Sequence, residues 1–307
     1  MDILAYLSSR ARWVLVIGVF TGIFLPGLAA LVRPFLVPVI LLMLTGALLR
    51  LDWGAFRAYG GEPGLALLLV LWQLVATPLL VWGLLQPMPL PATLKLALVL
   101  NAAAPPILSS PVFAQILGLD AALAFLGVVL TTLLLPLSLT LLILGLPDLG
   151  LSVAAGPFLL RVSLLIGVPF AVAMGLRRYC SGPTLARLAP TIDGLNVVLL
   201  LVFAVAVMDG VTARGLSEPA VVGLWLLAAC AMSALLHLAG YGVFHWLGWR
   251  RALSLSMLSG NRNMGLMMAV TAGLSGADFA LYVALAQVPM YCVPLVFTPL
   301  VRRRLLA

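Results

Sequence analysis

Charge is what this sequence has least of. Only 8% of its 307 residues are charged, 17 Lys and Arg against 9 Asp and Glu, where a soluble domain carries about 25%. A chain so poor in charge cannot give itself a water-compatible surface, so a soluble enzyme and a disordered tail are excluded. The three cysteines, Cys180, Cys230 and Cys292, have no paired or metal-type spacing, which argues against a disulfide framework and a zinc site. His237 and His245 have no acidic cluster beside them and read as packing residues. There is no Asp-rich motif, no metal-spaced histidine set and no Ser/His or Ser/Lys pairing suited to catalysis inside a membrane. No catalytic residue and no cofactor are therefore expected. The net charge of +8 does not point to nucleic acid, because the basic residues fall in short breaks between apolar runs and read as topology signals.

What the chain does have is apolar length. Hydrophobic residues make up 64% of it, and a spanning helix needs roughly 20 mainly apolar residues. The uncharged stretches parse into ten membrane helices, at about 13–31, 35–50, 64–86, 91–117, 120–146, 157–177, 192–209, 219–246, 252–275 and 278–300. Ten crossings put both termini on one side. With the termini inside, the inner segments carry Arg10, Arg12, Arg50, Arg57, Arg177, Arg178, Arg187, Arg250, Arg251 and Arg302 to Arg304. The outer segments carry only Arg33, Lys95, Arg161 and Arg214. This bias follows the positive-inside rule. The expected protein is an all-α, multi-pass protein of the cytoplasmic (inner) membrane, with both termini in the cytoplasm and the lipid bilayer as its surroundings. Nothing in the sequence fixes an oligomeric state.

Two of the ten helices are interrupted. Helix 4 carries Asn101-Ala-Ala-Ala-Pro105-Pro106-Ile-Leu-Ser109-Ser110-Pro111, and three prolines within seven residues cannot continue a regular helix. Helix 9 carries Ser256-Met-Leu-Ser259-Gly260-Asn261-Arg262-Asn263-Met-Gly265 in otherwise apolar surroundings. Each break falls in the fourth helix of a five-helix half, residues 1–148 and 149–307. Five is odd, so the halves insert with opposite orientation. That is the pattern of secondary transporters built from inverted repeats, whose broken helices cross near the midplane at the binding site. Unwound backbone is tolerated there only when buried in protein or lining a cavity.

Six features in order resemble the bile acid:sodium symporter family, including its bacterial members. They are Phe24-Leu25-Pro26-Gly27, Leu51-Asp52, Gln73 with Pro78, Pro105-Pro106-x-x-Ser109-Ser110, Thr132 with Pro136, and Gly260-x-x-Asn263-x-Gly265-Leu266. The resemblance implies a panel domain of helices 1, 2, 6 and 7, and a core domain of helices 3–5 and 8–10 with helices 4 and 9 crossed. It also implies alternating-access transport of a small organic anion, with sodium as the coupling ion.

By the same resemblance, one sodium site would use Ser110 and Thr132. Pro111, Val128 and Leu258 stand where the family has an amide, a hydroxyl and a carboxylate, so this site is depleted. The second sodium site would use Gln73, but Arg262 stands where a glutamine is expected. A guanidinium stays protonated in proteins, so Arg262 is expected to act as a surrogate cation. The substrate is expected near Ser109, Ser110, Asn261 and Asn263, with Gln287 and Tyr291 of helix 10 contributing. The alternatives are an ordinary sodium-coupled symporter of the same family, another inverted-repeat carrier of the auxin-efflux type, and a channel.

Overall fold

The computed structural model describes residues 11–50, 54, 59, 61–151, 153–180 and 182–306. Arg10, Leu51, Asp52 and Arg57 lie outside the described residues. Among those described, secondary structure is helical apart from one isolated β-bridge. Seven helical runs are long and apolar enough to cross a membrane by length and composition. Many large apolar side chains on them, among them Leu42, Leu141, Leu160 and Leu238, point outward and exposed, as a lipid-facing surface requires. The chain divides into two compact units, Met1–Leu51 with Ser163–Val222 and Asp52–Val162 with Gly223–Ala307.

In chain order the helices are α1 (Ala11–Phe24), α2 (Pro26–Val32), α3 (Leu36–Arg50), α4 (Pro63–Leu71), α5 (Thr77–Leu85), α6 (Ala92–Ala103), α7 (Ser110–Ile116), α8 (Ala121–Gly145), α9 (Ala155–Tyr179), α10 (Gly182–Val207), α11 (Val211–Ser217), α12 (Pro219–Phe244), α13 (Trp249–Gly260), α14 (Met264–Val270) and α15 (Ala277–Leu306). Several bounds differ from the sequence parse. The first expected helix ends at Phe24, because Pro26 opens a separate short helix at its first position. The seventh begins ten residues early at Gly182, since Pro190 is accommodated inside α10. The fourth becomes α6 and α7 and the ninth becomes α13 and α14, each pair divided at its break.

In the first unit α10 is the central member. Gly18 of α1 meets Leu201 and Ala204, and Gly22 meets Met208 and the Val205 carbonyl, so α1 runs parallel to α10. A Cβ on Gly22 would come within 2.6 Å of that carbonyl, so only glycine permits this approach. α3 runs antiparallel: Arg33 pairs with Asp209 at 2.6 Å and Arg50 with Asp193 at 2.7 Å. The chain therefore reverses between Gly22 and Arg33, through Leu25 and α2.

The second unit is built around α8, which Asp120 caps by accepting from the Leu123 N–H at 2.9 Å. At the same end Arg251 of α13 donates two hydrogen bonds to Glu62, at 3.0 and 3.2 Å. The Tyr59 hydroxyl donates to Asp120, and the Arg251 guanidinium lies over the Tyr59 ring. The starts of α4, α8 and α13 are thus tied together. Elsewhere in the unit Arg161 donates to the Ala272 carbonyl at 2.5 Å.

Candidate functional site at the crossing of two helix breaks

The two breaks of the second unit meet. Pro106 and Arg262 form an antiparallel β-bridge. The Ile107 N–H donates to Asn261 O at 3.0 Å, and the Asn263 N–H donates to Pro105 O at 2.7 Å. Local chemistry explains why the chain is extended there. A residue before proline is driven out of the α region, and Ala104 accordingly has φ −65° and ψ 143°. Pro105 and Pro106 have no N–H to continue α6, and the freed carbonyl groups find partners across the crossing.

Arg262 sits at this crossing, 3% exposed. Its Nε donates to Ser259 O at 2.6 Å, Nη1 to Ala104 O at 2.8 Å and to Gln73 O at 3.3 Å, and Nη2 to the Thr77 hydroxyl at 3.0 Å. No described carboxylate pairs with it. Two of the three carbonyls belong to the C-terminal ends of α13 and α6, where the helix dipoles place about half a negative charge each. Together these roughly balance one guanidinium.

The third carbonyl is released by a π-turn, Trp72–Ala76, that joins α4 to α5. Within it the Thr77 N–H reaches back to Trp72 O rather than to Gln73 O. Gln73 O is left to accept from the Thr77 hydroxyl at 2.9 Å and from Arg262. Pro78 at the start of α5 accounts for the wide turn, since its ring would clash with an α-helical carbonyl four residues back.

The Gln73 side chain is fully buried and donates through Nε2 to the Ser259 hydroxyl at 3.2 Å. Trp72 Nε1 donates to the same hydroxyl at 2.9 Å. Gln73 Oε1, Ser110 Oγ, Thr132 Oγ1 and Asn261 Oδ1 are buried without a hydrogen-bond partner. Thr131 and Thr140 of α8 both donate to the carbonyl four residues back, whereas the Thr132 hydroxyl does not.

Val128 and Leu258 are fully buried in an apolar cluster. Leu258 lies close to the Cα of Gly127. Pro111 stands at the start of α7.

A known protein family matches the chain. The description "Sodium Bile acid symporter family" matches residues 37–214, more than half of the chain. The chain belongs to this family. A comparison with curated proteins finds no match. Membership in a family of symporters, together with the seven apolar runs, makes the chain a multi-pass membrane protein of a transporter family rather than an enzyme family.

The remaining residues singled out in the sequence take varied places. Ser109 is exposed at the start of α7. Asn263 caps α14, its Oδ1 accepting from the Leu266 N–H at 3.0 Å. Gln287 donates to Val283 O at 3.0 Å and accepts from the Tyr291 hydroxyl at 2.9 Å, a pair made within α15. A small cavity beside Arg262 is lined instead by Asn101 and Ser233, with Met264, Pro289 and Met290. Sequence reasoning missed both polar residues. Asn101 opens the proline-rich break and could have been found from it, but Ser233 stands in an unbroken apolar helix and carries no signal.

Proposed function

We propose that this protein is a secondary transporter of a small organic anion, working by alternating access, in which Arg262 takes the place of the family's second sodium ion. One observation carries the reading. The buried guanidinium donates to Ser259 O, Gln73 O, Ala104 O and the Thr77 hydroxyl. That all-oxygen, mainly carbonyl set at two helix C-termini is suited to a monovalent cation. A fixed cation there holds the crossing together without ion binding. The apolar residues Val128 and Leu258 support loss of the other sodium site as well.

Ten crossings in two inverted halves, 1–148 and 149–307, are supported by the crossed breaks. The panel and core domains are supported by the division of the chain into two units. The cytoplasmic membrane, with both termini in the cytoplasm, is supported by the placement of arginines.

Direction follows from charge. A monoanion entering without a co-ion works against an inside-negative potential, at about 2.3 kcal/mol per 100 mV. A sodium-independent carrier of this kind exports or exchanges its substrate.

A second reading, ordinary sodium symport, is favoured by the unpartnered oxygens of Gln73, Ser110, Thr132 and Asn261. Counterflow of labelled small organic acids in proteoliposomes, in sodium and in potassium, separates the two. The proposed reading expects equal rates in both ions, and expects Arg262→Gln to slow transport in potassium with recovery in sodium. Strict sodium dependence of the wild type would favour the second reading.

A further inference from the structure

The first unit carries more positive charge than it uses at the end where α3 and α9 finish and α10 begins. Arg177 Nη1 donates to Leu49 O at 2.7 Å, and the next residue, Arg50, donates to Asp193 at 2.7 Å. These two bonds bring the ends of α3 and α9 to one level of α10. Arg178 follows Arg177, and only residues 180 and 181 separate α9 from α10. Arg187 comes in the second turn of α10, about 9 Å along the helix from Asp193. Among the described residues, Asp193 is the one carboxylate at this end of the unit. Asp209 and Glu218 lie beyond the other end of α10 and pair with Arg33 and Arg214. Asp52 and Arg57, which follow α3 in the sequence, cancel each other. Arg178 and Arg187 are exposed and have no ion-pair partner among the described residues.

Topology and helix ends do not account for this surplus. The positive-inside rule places arginines on the inner side, but it does not leave them unmatched. In the second unit Arg250 and Arg251 stand with two carboxylates, Glu62 at 3.0 Å and Asp120 at 3.7 Å from Arg251. The dipole of α9 favours Arg177 and Arg178 in its last turn. Arg187 lies near the start of α10, where a dipole favours negative charge.

The neighbouring side chains indicate what covers these arginines. Leu176, two residues before Arg178, and Leu188, next to Arg187, are exposed, and Tyr179 is more exposed still. Apolar side chains beside arginines and an aromatic ring match the head-group level of a membrane. We propose that this corner binds the phosphate head group of an anionic phospholipid of the inner leaflet, with Arg178 and Arg187 as donors. The guanidinium fork matches phosphate oxygens, and clusters of arginine at the inner surface attract anionic lipid. The acyl chains lie along Leu176 and Leu188, which a free phosphate would leave uncovered. The proposal rests on the membrane placement and inner side argued above, and not on transport or on Arg262.

The test is thermal unfolding of the purified full chain in detergent micelles carrying phosphatidylglycerol or phosphatidylcholine, at fixed ionic strength. The expected result is a saturable rise in Tm with phosphatidylglycerol over phosphatidylcholine, and none with inorganic phosphate at the same concentration. Arg178→Gln and Arg187→Gln are each expected to weaken the apparent affinity about fivefold, and on the order of twentyfold together. Both side chains are exposed, so the variants should match the wild-type Tm in phosphatidylcholine. Arg250→Gln removes an exposed arginine from the second unit and is expected to leave the affinity unchanged. Equal Tm in the two lipids overturns the site. So does an equal loss in Arg250→Gln, which would mean attraction by net charge alone, or an equal rise with inorganic phosphate, which would mean that no lipid is required. Sodium-dependent counterflow with the lipid shift intact would overturn the proposed function alone. Sodium-independent counterflow without the shift would overturn the lipid site alone.

Discussion

The Nη1 of Arg262 donates to the carbonyl of Ala104 at 2.8 Å, joining the two breaks through a side chain as well as through their backbones. Arg262→Met would leave three carbonyls and the Thr77 hydroxyl short of a buried donor. Each such loss costs about 1–3 kcal/mol, so the variant is expected to lose about 3 kcal/mol or more. Arg262→Lys is expected to fall between, because one ammonium on a flexible stem cannot serve acceptors on several sides. Tryptophan fluorescence during heating, in sodium and in potassium, measures both. A Met variant as stable as the wild type would remove Arg262 as the keystone of the crossing.

Gly260 lies directly against the His237 ring, and a Cβ there would overlap ring atoms. Gly260→Ala is expected to cost about 1–3 kcal/mol through overpacking. Pairing it with His237→Ala should recover part of the loss. The coupling is read from a double-mutant cycle of unfolding midpoints, and strictly additive losses would contradict the contact.

Burial raises the pKa of Tyr59 above its ordinary value, helped by the hydrogen bond to Asp120 and its charge. The folded protein thus holds the phenolic proton more tightly than the unfolded chain does. The resulting stability is complete below the unfolded tyrosine pKa of about 10 and is lost as pH rises beyond it. Tyr59→Phe is expected to flatten the fall in Tm between about pH 9 and 11. An alkaline limb identical in both proteins would count against the tyrosine.

Leu258→Glu places a carboxylate in the apolar cluster around Gly127 and Leu69. An uncompensated buried charge costs about 3–5 kcal/mol. If no cation site survives there, the loss of Tm is equal in sodium and in potassium. Selective recovery in sodium would instead revive the sodium reading.

The two breaks were legible in the sequence because their chemistry is local. Pro105, Pro106 and Pro111 cannot continue a helix, and Arg262 is conspicuous among apolar neighbours. The turn of the chain before α3 is poorly marked in the sequence, since the run up to Leu31 is mainly apolar and only Pro26 marks where α2 begins. The wide turn at Trp72–Ala76 was not legible, because Pro78 alone cannot tell a kink from a π-turn. Which polar side chains would cap or pair within their own helix, as Asn263, Gln287 and Tyr291 do, depends on rotamers that spacing does not encode. Ser233 became visible only when α12 was set beside Gly260.

The π-turn also gives the second unit a rotational phase. One residue more than an α-helix needs lies between Leu71 and Thr77, and it turns α4 relative to α5 by about 100°. Deleting a single residue from 72–76 would remove that extra residue and swing the face of α4 that carries Leu65 and Leu69 out of the core and into lipid. A one-residue deletion here should therefore do more damage than most substitutions. An insertion of the same size in the chain between Leu85 and Ala92 would disturb no helical phase.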